Sequence, residues 1–158
     1  MDIAPHCICT AVSAKALHNL LESSGRGSYR DRYPWLVARE LLDAAAAAGQ
    51  RLPLILAAGS PPAFSHWGFI ESLEVVELHR ATWESVCSFT RLKPVNPIFQ
   101  DVDSLFLQPT AERLARERRE GITRHRYPLS AAELHPYAIC ETPAFIGVEV
   151  EKESGKIT

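Results

Sequence analysis

Cysteine is scarce in this chain: four thiols in 158 residues, Cys7, Cys9, Cys87 and Cys140, too few and too scattered for a disulfide scaffold. Cys7 and Cys9 lie two apart in a predicted strand, so they share a face and do not readily bridge each other. Buried free thiols in a reducing compartment are the expectation. A metal site drawn from His6, Cys7, Cys9 and His66 or His125 has no Cys-x-x-Cys or His-x-x-x-His spacing behind it, so no metal and no other cofactor is expected. No Gly-Lys-Ser/Thr follows Gly59-Ser60-Pro61-Pro62, which removes a phosphate-cradling loop there. No Gly-x-Ser-x-Gly elbow surrounds Ser65. Strand neighbours point to opposite faces, so Ser65 and His66 are not expected to hydrogen-bond as a nucleophile and base. Long apolar runs are missing too: the alanine-rich stretch 44–58 is cut by Gly49, Gln50 and Arg51, far below a membrane span. The Met1-Asp2 start has no basic region and no long apolar segment, so no signal peptide is expected. Net charge is only −2, which gives no global attraction to nucleic acid or an anionic membrane. These absences together lead to the expectation of a soluble, cytoplasmic protein without membrane contact.

What is present is ordinary globular material: 46% apolar and 23% charged residues, in a chain long enough to bury roughly 70% of its unfolded surface. One domain over 1–146 is expected, with a polar tail over 147–158, where Glu149, Glu151, Lys152 and Glu153 crowd together. His6 to Val12 reads as a strand, and Ser13 as the cap of a helix reaching Glu22, with Leu17, Leu20 and Leu21 on one face. The segment 23–28 reads as a flexible loop. Pro34 opens and Gly49 closes a second helix. Strands follow at 52–57, 69–78 and 82–92, the last two forming an antiparallel hairpin with one wet face. Pro94 and Pro97 end the ladder. A short strand is expected at 104–107, a mostly solvated helix at 110–120, a capping box at Ser130–Glu133 and a last strand at 137–141. Strands in this number with helices early and late give an α+β class with a small curled sheet or barrel.

The residues able to carry chemistry gather in two kinds of place. Ser65, His66 and Trp67 stand at a strand entrance, and a curled sheet would bring Trp83 towards Trp67 from the next strand. Indole rings so placed can stack a base, worth ~1–3 kcal/mol per base. The same rings, with Trp35, can equally serve as core. Charge is also unevenly spread: 110–128 holds six arginines against three glutamates, a local +3. Within it Arg124-His125-Arg126-Tyr127 lies in a loop without acidic partners, and Tyr29, Arg30, Arg32 and Tyr33 repeat the mixture. Two Arg/Tyr loops argue for an anionic, partly aromatic ligand.

The strand Leu54-Ile55-Leu56-Ala57, the opening Trp67-Gly68-Phe69-Ile70 of a strand that ends Val75-Val76-Glu77-Leu78, and the partner strand 82–92 together resemble the PUA-like superfamily, in particular its ASCH and EVE branches. The resemblance spans about 51–143. It implies a small mixed β-barrel with flanking helices, binding RNA or DNA at a base that can be modified or flipped out. Carried onto this chain, it implies that Ser65, His66 and Trp67 line the base pocket, that Trp83 or Trp35 stacks, and that Arg124 and Arg126 hold phosphate. A flipped base costs a few kcal/mol of unstacking, which a ring sandwich and two edge hydrogen bonds can offset. Two alternatives stand beside it. One is a small metal-independent hydrolase or ribonuclease with His66 as acid/base and Arg124 or His125 as clamp. The other is a protein-partner module using the exposed 110–120 helix.

Overall fold

The structure, a computed structural model, describes residues 2–22, 27–109, 111–121 and 127–155, with side chains described as far as 151. In chain order the elements are β1 (Asp2–Ile3), β2 (His6–Ala11), α1 (Ala14–Glu22), β3 (Gly27–Asp31), α2 (Leu36–Ala47), β4 (Gln50–Arg51), β5 (Pro53–Ala58), β6 (Ala63–His79), β7 (Thr82–Phe89), β8 (Lys93–Pro94), β9 (Phe106–Leu107), α3 (Ala111–Glu120), β10 (Tyr127–Pro128), β11 (Ala138–Glu141) and α4 (Ala144–Gly155). This is a mixed α+β architecture. One large sheet runs β10-β9-β11-β2-β5-β6-β7-β3, with β8 added to β6, and β1 pairs with β4 apart from it. Within the large sheet β2 and β5 run parallel and the other neighbours antiparallel. The sheet is not closed into a barrel: β10 and β3 are its two ends.

The centre of the sheet is built from strands apolar on both faces, the pattern of a strand covered on both sides. Cys7, Cys9, Ile55 and Ala57 enter one core cluster with Trp67, Phe145 and Ile146. Ile8, Leu54 and Leu56, at the alternate positions, enter a second with Trp35, Ala38, Leu73 and Phe89. Leu17 and Leu20 of α1 and Leu41 and Leu42 of α2 pack on that second cluster, whereas Leu21, expected on the same face as Leu17 and Leu20, is exposed. Ser13 Oγ accepts the Ala16 N–H at 3.0 Å, so the cap of α1 is in place. The capping box at Ser130 is also formed, closing a single short 3-10 turn, Ala131–Leu134.

Three local expectations are corrected. Residues 147–155, expected as a tail, continue the helix α4. Ile146 is buried and Val150, one turn on, packs against the same cluster, so a pair of apolar side chains four apart docks a segment whose charges suggest solvent. Gly27 and Ser28, expected in a loop, begin strand β3, which pairs with β7 along its whole length. The strand expected at 69–78 begins at Ala63 and runs for 17 residues. Its first half pairs with β5 and β8, its second with β7, so one long strand joins the two parts of the sheet. No helix is long and apolar enough to cross a membrane among the described residues.

Candidate functional site

A wide recess forms where β3 ends before its neighbours do. β3 pairs with β7 from Gly27 opposite Phe89 to Asp31 opposite Ser85, while the β6–β7 hairpin runs on to Thr82 opposite His79. The hairpin turns through Ala81, held at φ 61°. The chain leaves β3 because a compact set of bonds turns it into α2. Asp31 Oδ2 accepts the Trp35 indole N–H at 2.8 Å, and Ser85 Oγ accepts the Trp35 backbone N–H at 3.0 Å while donating to Tyr33 O at 2.6 Å. Beyond Ser85 the outer edge of β7 therefore has no strand beside it among the described residues. The space left, about 620 Å³, is lined by Arg30, Asp31, Arg32, Leu78, Ala81, Thr82, Trp83 and Glu84.

Trp83 is partly exposed there, an indole bordering an open hollow. Arg30 donates to the Glu84 carboxylate across the strand pair, and Arg32 is exposed. Two guanidinium groups and two carboxylates line the recess, so the formal charge around it is zero. Such a rim offers paired donors and acceptors to a flat polar group more than it attracts a polyanion from a distance.

The remaining expected site residues are placed elsewhere. Trp35 is 1% exposed and packs in the core at a tilt against Tyr137, ring centroids 4.7 Å apart. Its polar edge is satisfied by Asp31, so it fixes the turn behind the recess and does not stack on a ligand. Trp67 is also 1% exposed, in edge-to-face contact with Phe69 at 5.4 Å and Phe145 at 6.1 Å. Trp83 pairs opposite Glu77, and Trp67 opposite Ile55 and Lys93. The two indoles are separated by roughly 30 Å of strand path along β6 and form no sandwich. Arg124, His125 and Arg126 lie outside the described residues. Tyr127, the next residue, donates its hydroxyl to Glu117 and carries the Arg113 guanidinium 4.7 Å from its ring centroid, which ties β10 to α3. No residue of α3 is buried.

Ser65 and His66 correct a further expectation. Ser65 Oγ and His66 Nδ1 are 3.1 Å apart. The cause is a β-bulge: Leu56 pairs with His66 and Ala57 with Phe64, leaving Ser65 unpaired. A bulge breaks the two-residue alternation and re-aims a side chain. Phe64 and Trp67 accordingly point into one core while Ser65 and His66 share a partly exposed face. Burial lowers the His66 pKa below its usual value, which favours the neutral ring, and in the tautomer that carries its proton on Nε2 the Nδ1 atom accepts from Ser65. No carboxylate is hydrogen-bonded to its Nε2 among the described residues.

Asp31, Glu84, Leu78, Ala81 and Thr82 were not anticipated as site residues. No motif in the sequence marks them; the exposed–half-buried alternation through Ser28, Tyr29, Arg30 and Asp31 emerges only once β3 is seen at the sheet's edge. No group of three or more His, Cys, Asp or Glu side chains is arranged to hold a metal ion among the described residues. Comparison with family models, with characterised proteins and with solved structures finds no match for this chain.

Proposed function

We propose that the protein is a nucleic-acid-binding module, related to the PUA-like class, that holds a base in the recess at the end of β3. The observation that carries this reading is the convergence of Trp83, Arg30 and Arg32 on one hollow. The indole supplies a face for stacking and the rim of paired charges supplies donors and acceptors for the edge of a base. Glu84 suits an exocyclic amine and Arg32 a carbonyl or phosphate oxygen. Because the recess is formally neutral, contact with the backbone contributes less than stacking does, and affinity falls only gently with salt. The test is titration of labelled single-stranded RNA and DNA, read by fluorescence anisotropy, against the wild type, Trp83→Ala and Arg32→Gln. Loss of binding in Trp83→Ala with an unchanged melting temperature is expected. Undiminished binding by Trp83→Ala rejects the recess as the base site.

A second reading, a small metal-independent hydrolase acting on RNA or modified nucleosides, is favoured by the 3.1 Å Ser65–His66 contact. It predicts turnover that needs both His66 and Ser65 and no added metal. Turnover unaffected by His66→Ala rejects it.

A further inference from the structure

A second, smaller recess lies on β6 at Trp67–Phe69, at a distance from the Trp83 site, and it concentrates positive charge. Its volume is about 130 Å³, and its walls are Arg51, Trp67, Gly68, Phe69, Thr90, Arg91 and Lys93. The topology brings these together from both sides of one strand. Arg51 ends β4, two residues before Pro53, which pairs with Phe69. Lys93 pairs with Trp67, and the Thr90 N–H bonds to Phe69 O at 2.9 Å. Gly68 permits the close approach: a Cβ there would stand 3.1 Å from Thr90 O and 3.2 Å from Thr90 Oγ1.

Two of the three cations are presented over aromatic rings. The Arg51 guanidinium sits 3.7 Å from the Phe69 centroid and the Lys93 ammonium 5.5 Å from the Trp67 centroid. Desolvation lowers the Arg51 pKa, with the neighbouring Glu71 carboxylate opposing that shift. Three cations, Arg51, Arg91 and Lys93, line the recess, and no carboxylate is among its described lining residues. Thr90 Oγ1 already accepts the Phe69 N–H at 2.9 Å, so its own O–H proton remains to be donated. Trp67 also carries the buried indole N–H without an acceptor, an uncommon feature in a folded core.

We propose that this recess binds a small oxyanion of the phosphate class, held by Arg51, Arg91 and Lys93 with the Thr90 hydroxyl as a neutral donor. The volume is enough for a tetrahedral oxyanion or a terminal monophosphate. Aromatic rings behind two of the cations restrict their motion, so less side-chain entropy is lost when the anion arrives. This site is independent of the Trp83 recess, and either can stand without the other.

The test is titration of the full chain with inorganic phosphate, read by melting temperature and by calorimetry, against sodium chloride at matched ionic strength. A saturable rise in melting temperature with phosphate alone is expected, by mass action on the native state. The Arg91→Gln/Lys93→Gln double variant should lose at least tenfold in affinity. Should that variant fail to fold, Arg91→Glu, at an exposed position, should give the same loss. A nucleoside 5′-monophosphate arm identifies the source: tighter binding than phosphate assigns the site to a nucleotide, and equal binding to free phosphate. Either supports the proposal. A response no larger than that of sodium chloride, or one undiminished in the arginine and lysine variants, overturns it.

Discussion

Replacing Trp67 by alanine should unfold the protein more readily while leaving the Trp83 recess in place. The indole is 1% exposed and has edge-to-face contacts with Phe69 and Phe145. Truncating a buried tryptophan to alanine typically costs ~3–5 kcal/mol, through lost transfer energy and the cavity left behind. For a chain of this size about 2–4 °C of melting temperature follows each kcal/mol, giving an expected fall of roughly 6–20 °C. A second substitution sharpens the test. Trp67→Phe keeps a ring in contact with both partners and removes the indole N–H that has no acceptor. An unpaired buried donor costs ~1–3 kcal/mol, which offsets much of the lost ring, so Trp67→Phe should cost less than about 2 kcal/mol. The assay is urea denaturation followed by far-ultraviolet circular dichroism, with the slope of unfolding checked for constancy. If Trp67→Ala melts within about 2 °C of the wild type, the indole is not a packing element. The division between core tryptophans and a ligand-facing one would then be lost.

Further expectations concern the polar supports and the thiols. Ser85→Ala removes, at a residue 2% exposed, both the donor to Tyr33 O and the acceptor of the Trp35 N–H. It should cost ~1–3 kcal/mol in chemical denaturation, and Ser85→Thr should retain more of the stability. All four cysteines are buried and free, so a colorimetric thiol reagent at pH 8 should react slowly with the native protein and with four thiols after denaturation. Burial pushes the Cys87 thiol up to about 12 from 9.0. The native state therefore keeps its proton where the unfolded chain loses it, so stability should fall as pH rises from about 9 towards 12. Cys87→Ala should flatten that fall. His66 behaves in the opposite sense: its pKa is lowered by burial, so below about pH 6.5 the unfolded chain takes up the proton first. Stability should decline as pH drops through that region, and His66→Gln should shallow the decline in a pH series of melting curves.

Much of the framework was legible from local chemistry. The Ser13 cap, the Ser130 capping box and the two-sided apolar pattern of Leu54–Ala57 each state a structural role directly. Other parts depend on what a segment meets in three dimensions. Gly27-Ser28-Tyr29-Arg30-Asp31 has weak strand propensity and becomes a strand because β7 offers it an edge. Val150 looks like an isolated apolar residue among charges until Ile146 and a waiting core give it a partner. Ser65 and His66 were separated by the alternation rule, and a single unpaired residue reverses that outcome. The tryptophans show the limit most clearly. Residue type does not separate Trp35 and Trp67, sealed in two different core clusters, from Trp83, left half-open because β3 stops two residues short of it.

The account turns on which indole meets the ligand, and the three indole N–H resonances in a two-dimensional nitrogen–proton spectrum report on this directly. Each can be assigned with a single tryptophan-to-phenylalanine variant. On addition of single-stranded oligonucleotide, the Trp83 resonance should shift progressively and saturate, while those of Trp35 and Trp67 stay in place. A shift confined to Trp67, or three resonances that do not move at saturating oligonucleotide, would contradict the assignment of the recess at the end of β3 as the base-binding site.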